Sequence, residues 1–208
     1  MTPHLVAIIP AAGHSRRMGQ PKLLMELCGR SVISRVIEAF RGGSISDCLV
    51  VVRPGDKALA REAHQAGAEV IVPVSDPLDM RQSVEFALRH CLNSGVARDG
   101  WILVPADHPT LSHDVVRELV AAWSADPSRI AVPVCEGRRG HPTIFPWSVV
   151  NEIFALPPDV GLNHLLRSEP ERVQEVCISD CRILDDLDTP EDWQRLLREV
   201  ELDSLPPG

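Results

Sequence analysis

The chain has 208 residues, enough for one domain at roughly 150 residues per domain, with a core that needs no staples. Its formal net charge of −8 argues against broad nucleic-acid binding, which wants a basic face, and is read first as a solubility feature. No apolar run reaches the ~18 residues of a membrane helix, and the start MTPHLVAIIPAAG lacks the basic-then-apolar pattern of an export signal.

Cys28, Cys48, Cys91, Cys135, Cys177 and Cys181 form no CxxC pair, so a zinc site is not expected. Read as free thiols in a chain without an export signal, they place it in the cytoplasm.

In chain order, Leu5 to Ile9 is a short β-branched run that reads as a buried strand. Val32, Ile33, Val36, Ile37 and Phe40 recur at three and four, which predicts a helix from Ser31 to Phe40. Further strands are expected at Cys48–Val52, Glu69–Val72, Trp101–Val104 and Arg129–Val134. Helices are expected at Lys57–Gln65, Met80–Cys91 and His113–Trp123. Fully apolar strands alternating with helices predict a mainly parallel sheet covered on both faces. The rhythm then breaks: Gly140–Phe145, Arg172–Ile178 and Ile183–Leu187 read as strands between short helices. An antiparallel strand and a lid-like insertion are expected there. The fold class is α/β, one domain over 1–208, with 137–180 as an insertion. In such sheets ligands bind beyond the carboxyl ends of the strands, so the loops there carry the functional reading.

The first strand runs into Pro10-Ala11-Ala12-Gly13-His14-Ser15-Arg16-Arg17-Met18-Gly19-Gln20-Pro21-Lys22. Small residues let the backbone approach a ligand, and successive N–H groups can form an anion nest. Arg17 could clamp phosphate oxygens in a planar fork, and Lys22 could act as a compact charge. The same composition also suits a solvated Gly-rich turn. It is neither a Walker A loop nor GxGxxG.

Trp101-Ile102-Leu103-Val104 leads to Pro105-Ala106-Asp107-His108-Pro109, which puts a carboxylate at the end of a buried strand. Mg²⁺ prefers one or two carboxylates plus phosphate oxygens. Helix capping is the plainer role for Asp107, but Ser112 lies closer to the next helix. Near the end, Asp185-Asp186-Leu187-Asp188-Thr189-Pro190-Glu191-Asp192 precedes a helix. Helix initiation accounts for Thr189 to Asp192 but not for Asp185 and Asp186. Ser83 reads as ordinary helix surface on residue type alone. Arg138 and Arg139 could meet an anion or form a hairpin tip. His141 could act at a phosphate or simply pack.

The string AAGHSRRMGQPK resembles the signature AAGxSxRMGxxK of the MobA-like NTP transferases, a family that includes molybdenum cofactor cytidylyl- and guanylyltransferases. Ala106-Asp107-His108-Pro109 resembles the family's GDxP, with alanine for glycine. Asp186 to Asp192 resembles its DIDTPED tail, Asp79 to Val84 its GMxxSL, and Gly137 to Phe145 its GxxGHPxxF. Pro158 to Asn163 lines up with GDxGAR, with Pro158 and Asn163 as departures.

The resemblance implies a Rossmann-like fold of the nucleotide-diphospho-sugar transferase type. It implies transfer of a nucleoside monophosphate from an NTP to a phosphorylated acceptor, with release of pyrophosphate. Ala11, Ala12, Gly13, Ser15, Arg17, Lys22 and Ser83 would bind the nucleotide, with Arg17, Lys22 and Asp107 catalytic. Asp107 and Asp186, with Asp188 next in line, would hold Mg²⁺. Arg139, His141 and Asn163 would face the acceptor. Ala12 points to CTP, because members with alanine at that position tend to use it. The acceptor implied is molybdenum cofactor, with a molybdoenzyme as a possible partner and no nucleic acid or membrane. Sugar phosphates, or nucleotide binding without catalysis, are the alternatives.

Overall fold

A computed structural model describes residues 2–41 and 45–203; the remainder of the expected 1–208 domain lies outside the described residues. Strand β1 (Leu5–Pro10) is followed by a small hairpin, β2 (Glu26–Leu27) and β3 (Arg30–Ser31). Helix α1 (Val32–Glu38) starts where the Ser31 hydroxyl accepts from the Ser34 N–H, which satisfies one of the donors that a helix start leaves open. Then come β4 (Ile45–Val51), α2 (Lys57–Gln65), β5 (Glu69–Ile71), α3 (Met80–Asn93), β6 (Gly100–Leu103) and α4 (His113–Trp123). Asp56, Asp79 and Ser112 cap α2, α3 and α4 in the same way.

The last third holds β7 (Ile130–Cys135), β8 (Arg138–Arg139), β9 (Thr143–Pro146), α5 (Val150–Ala155), α6 (Asn163–Ser168), β10 (Val173–Cys177) and α7 (Pro190–Asp203). The main sheet runs β10-β7-β9-β6-β1-β4-β5, with β8 pairing β7. All main-path pairings are parallel except those of β9, which lies antiparallel between β6 and β7. The segment 137–180 therefore supplies β9 to the middle of the sheet and β10 to its edge.

Alternation along β1 explains the layering. Leu5, Ala7 and Ile9 pack with α1, α2, α4 and α7 on one face, while Val6 and Ile8 pack with α3, α5 and α6 on the other. A strand buried on both faces must be apolar throughout, as this one is. Trp101 and Phe145 face each other across β6 and β9 and stack at 4.3 Å with 8° between their planes.

Two sequence expectations need correction. Ile183–Leu187 is not a strand: Cys181–Leu184 forms a 3-10 turn capped by Asp180, and the chain continues extended as a strap. Its backbone groups are taken up by the loops it crosses. Ile183 O accepts from His141 N, and Leu187 N donates to Asp107 O, so no ladder is left to form. Nor are all six thiols free. Cys135 and Cys181, 46 residues apart, form a disulfide that ties the end of β7 to this strap. The topology, rather than the local spacing, brings them together. Among the described residues no helix is long and apolar enough to cross a membrane.

Gly100 opens β6, where a Cβ would meet the Phe145 carbonyl oxygen at 2.6 Å and the Trp123 ring at 3.0 Å. Neither neighbour can move without disturbing the centre of the sheet. Gly100→Ala should lower stability by about 1–3 kcal/mol, the usual cost of overpacking, as read from urea unfolding. An unchanged midpoint would show that β6 and β9 separate more easily than their packing indicates.

Candidate active site

β1 and β6 are parallel neighbours, with Ile8 opposite Leu103 and the Val104 N–H donating to Ile8 O at 3.1 Å. The loops that leave their carboxyl ends therefore emerge side by side. Between them and the start of α3 lies a cleft of about 410 Å³. Ala11, Ala12, Gly13, Ser15, Arg17, Lys22, Ser83 and Asp107 all line it, as do His14, Ala106, Asp79 and Asp188.

The loop is built for close approach. The Ala11 N–H is taken by Val51 O at 2.8 Å, which anchors the loop to β4. The N–H groups of Ala12, Gly13 and His14 have no acceptor among the described residues. Consecutive free N–H groups at a cleft suit an anion. A Cβ at Gly13 would meet nothing within 4 Å, so the protein's own packing does not demand glycine there. Ser15 takes φ +48, a left-handed turn that reverses the chain toward Lys22.

Lys22 begins a short 3-10 turn, and its side chain is 14% exposed. Its ammonium donates to Asp107 Oδ2 at 2.8 Å, to Asp188 Oδ1 at 2.9 Å and to the Leu187 carbonyl at 2.6 Å. Arg17 reaches the other Asp188 oxygen, Oδ2, at 2.8 Å. Burial alone would lower the Lys22 pKa, but the Asp107 charge and the hydrogen bonds to Asp107 and Asp188 outweigh it and hold the pKa above its ordinary 10.5.

The carboxylate that meets Asp107 is thus Asp188, not Asp186. Asp186 does not line the cleft; its backbone carbonyl accepts from Arg195 at 3.4 Å. Asp185 is a structural anchor, paired with Arg195 at 2.7 Å and accepting from Thr110 at 3.4 Å. Downstream, Thr189 and Asp192 cap α7 reciprocally, each side chain accepting from the other's N–H. Strap and cap together fix where Asp188 points.

The departures from the resembled motifs are accommodated. Ala106 is not among the residues with positive φ, so no glycine is needed there. The Asp79 carboxylate accepts from the Gln82 N–H at 2.7 Å, as a helix cap. Ser83 is buried, and its hydroxyl donates to the Asp79 carbonyl.

The residues expected on the acceptor side do not line this cleft. Arg139 pairs with Glu175 at 2.8 Å, and Asn163 is exposed at the start of α6. His141 lies edge-on to His108, with ring centroids 5.1 Å apart, just behind Asp107. His108 directly follows Asp107 in the sequence, where its residue type suits a ligand, a base or a simple positioning role. The structure buries it with Nε2 3.9 Å from Asp107 Oδ1. Burial lowers the pKa of both imidazoles, that of His141 to about 4, so both are neutral at pH 7. The Nδ1 atom of each is buried without a hydrogen-bond partner. Gly140, the second glycine of the segment that resembles GxxGHPxxF, lets the strap pass: a Cβ there would collide with the Ile183 carbonyl.

Among the described residues no group of three His, Cys, Asp or Glu side chains could hold a metal. The donor set is two carboxylates, Asp107 and Asp188, already spaced to grip one cation between them. That fits a hard divalent ion that takes one or two carboxylates and fills its remaining positions with phosphate and water oxygens.

Residues 7–174 match the model of the MobA-like NTP transferase domain. The purine catabolism protein PucB of Bacillus subtilis is 31% identical over 209 residues, covering 96% of this chain and 98% of that protein. A probable molybdenum cofactor guanylyltransferase of Rhodopirellula baltica is 33% identical over 139 residues, covering 62% of this chain and 61% of that protein. The structure of Rv0371c from Mycobacterium tuberculosis in complex with manganese is 25% identical, covers 94% of this chain and 98% of that one, and superposes with a TM-score of 0.74.

His141 yields a pH prediction. Its pKa falls from an ordinary 6.5 to about 4 on folding, so the unfolded chain binds more protons between those values. Its contribution to stability is therefore present above pH 6.5 and is lost as the pH falls toward 4. The stability difference between the native chain and His141→Asn should change through that interval in urea titrations. A difference that stays constant with pH would mean the imidazole is not held neutral.

Proposed function

This chain belongs to the MobA-like NTP transferase family, and from that premise we propose that it transfers CMP from CTP to a phosphorylated small-molecule acceptor, releasing pyrophosphate. The nucleotidyltransferase class follows from the family; the nucleotide and the acceptor are our reading. The observation that carries it is the convergence of Lys22, Arg17, Asp107 and Asp188 on the cleft behind the open N–H groups of the signature loop. Molybdenum cofactor is the proposed acceptor, with a molybdoenzyme as the eventual recipient. CTP is favoured by Ala12, and GTP is the second reading because one relative is named a guanylyltransferase. We place the activity in the cytoplasm, on the ground of the four cysteines that remain free thiols.

The N–H groups of Ala12, Gly13 and His14 would cradle the phosphates, with Ala11 and Ser15 shaping the loop. Lys22 and Arg17 would neutralise charge on the α-phosphate and on the departing pyrophosphate. Ser83 forms the floor beneath the nucleotide. Asp107 and Asp188 would hold Mg²⁺, which when bound polarises the phosphate it touches. The acceptor phosphate is already an anion near pH 7, so no strong base is required. The neutral His108–His141 pair backs Asp107 and offers an uncharged wall on the acceptor side. Arg139 and Asn163, expected to face the acceptor, would have to do so from outside the cleft.

The direct test is pyrophosphate release with Mg²⁺ and each of CTP, GTP, ATP and UTP, with molybdenum cofactor and sugar phosphates as acceptors. Release with CTP and molybdenum cofactor is expected. Asp107→Asn should abolish it, and Lys22→Ala should lower kcat at least ~100-fold, the scale of one lost transition-state donor. Asp188→Asn should behave like Asp107→Asn, while Asp186→Asn should retain activity. Activity lost in Asp186→Asn but kept in Asp188→Asn would restore the assignment expected from sequence.

A further inference from the structure

All three protons of the Lys22 ammonium are used on oxygens, at 2.6, 2.8 and 2.9 Å, so this cation is fully coordinated by the chain itself. Two of its acceptors are the carboxylates that would grip a divalent ion. The other Asp188 oxygen is taken by Arg17. Two negative charges are thus matched by two positive ones before any ligand arrives. A divalent cation entering between Asp107 and Asp188 would meet an ammonium at contact distance, and at such separations like charges repel strongly even in a partly solvated site. Lys57 is the only other lysine in a chain otherwise supplied with arginines. The position holds a compact point charge, which an arginine fork could not imitate.

Something must draw the ammonium away, and the cleft contains the means. The open N–H groups of Ala12, Gly13 and His14 line the same cleft as Lys22 and would place a polyphosphate beside it. Arg17, 72% exposed, is free to follow. We propose that Lys22 is an internal counter-ion that closes the Asp107–Asp188 pair to divalent cations until a triphosphate draws it off, so that cation and nucleotide enter together. This rests on the reading of the cleft as a nucleotide and metal site. The coupling is reciprocal: what frees the carboxylates for the cation also frees Lys22 for the phosphates.

Two measurements on the full chain test it, neither of them activity. The first is Mn²⁺ binding without nucleotide, followed by electron paramagnetic resonance. Lys22→Met, which keeps the length of the stem but not the charge, should bind Mn²⁺ at least about tenfold tighter than the native chain, within the usual range of such couplings. Adding Asp188→Asn should remove the gain. Equal or weaker binding by Lys22→Met, or a gain that survives Asp188→Asn, would overturn the proposal.

The second measurement is CTP binding in excess EDTA, by calorimetry. Asp188→Asn takes away the carboxylate that pairs with Arg17 and one of the two that hold Lys22, so it should bind CTP tighter than the native chain does. Unchanged or weaker binding would overturn the proposal, and this arm decides if Lys22→Met fails to fold. A native chain that binds no nucleotide even with Mg²⁺ present would instead sink the functional reading, while the Mn²⁺ arm still tests the counter-ion.

Discussion

The ammonium of Lys22, held between Asp107 and Asp188, is the contact on which the rest of the site depends. It joins three distant parts of the chain: the loop after β1, the loop after β6 and the strap before α7. A partly buried cation of this kind is best tolerated with every donor satisfied and opposite charge beside it. Removing any partner leaves the others uncompensated. The same arrangement is chemically poised, because a divalent ion could take the place of the two cations and a triphosphate that of the two carboxylates.

The fold exists, for this purpose, to bring those three segments together. Parallel pairing of β1 with β6 makes their loops neighbours, and the apolar alternation of β1 fixes the sheet that both belong to. The antiparallel β9 begins beside the end of β6, which sets His141 behind Asp107. The strap is then fastened from several sides: Cys135 to Cys181, His141 to Ile183, Arg195 to Asp185, and Asp107 to Leu187. Gly140 lets it lie close. Asp188 is delivered at the end of this fastening, just ahead of a helix cap that holds its backbone.

Much of this was legible in the sequence. The spans of α2 and α4 match those expected from the sequence, and Ser112 caps where local chemistry says it should. The small-residue loop with Arg17 and Lys22 and the carboxylate Asp107 stood out because each follows a buried strand. What could not be read were relations between distant segments. Nothing in the spacing of Asp185, Asp186 and Asp188 says which one faces Lys22, since that depends on how an irregular strap lies across two loops. Ile183 to Leu187 looks like a strand by composition, yet its hydrogen bonds go to His141 and Asp107. The Cys135–Cys181 pairing and the His108–His141 contact likewise follow from strand order, not from any local pattern.

The central claim is that the α-phosphate of a nucleotide is transferred at this cluster. Its most direct test follows the α-phosphorus itself, by incubating the chain with Mg²⁺, α-³²P-labelled CTP and molybdenum cofactor. The account predicts label in a nucleotidyl–acceptor product with the native chain and none with Asp107→Asn. Label that remains in CTP with every acceptor, or a product that forms equally well with Asp107→Asn, would contradict it.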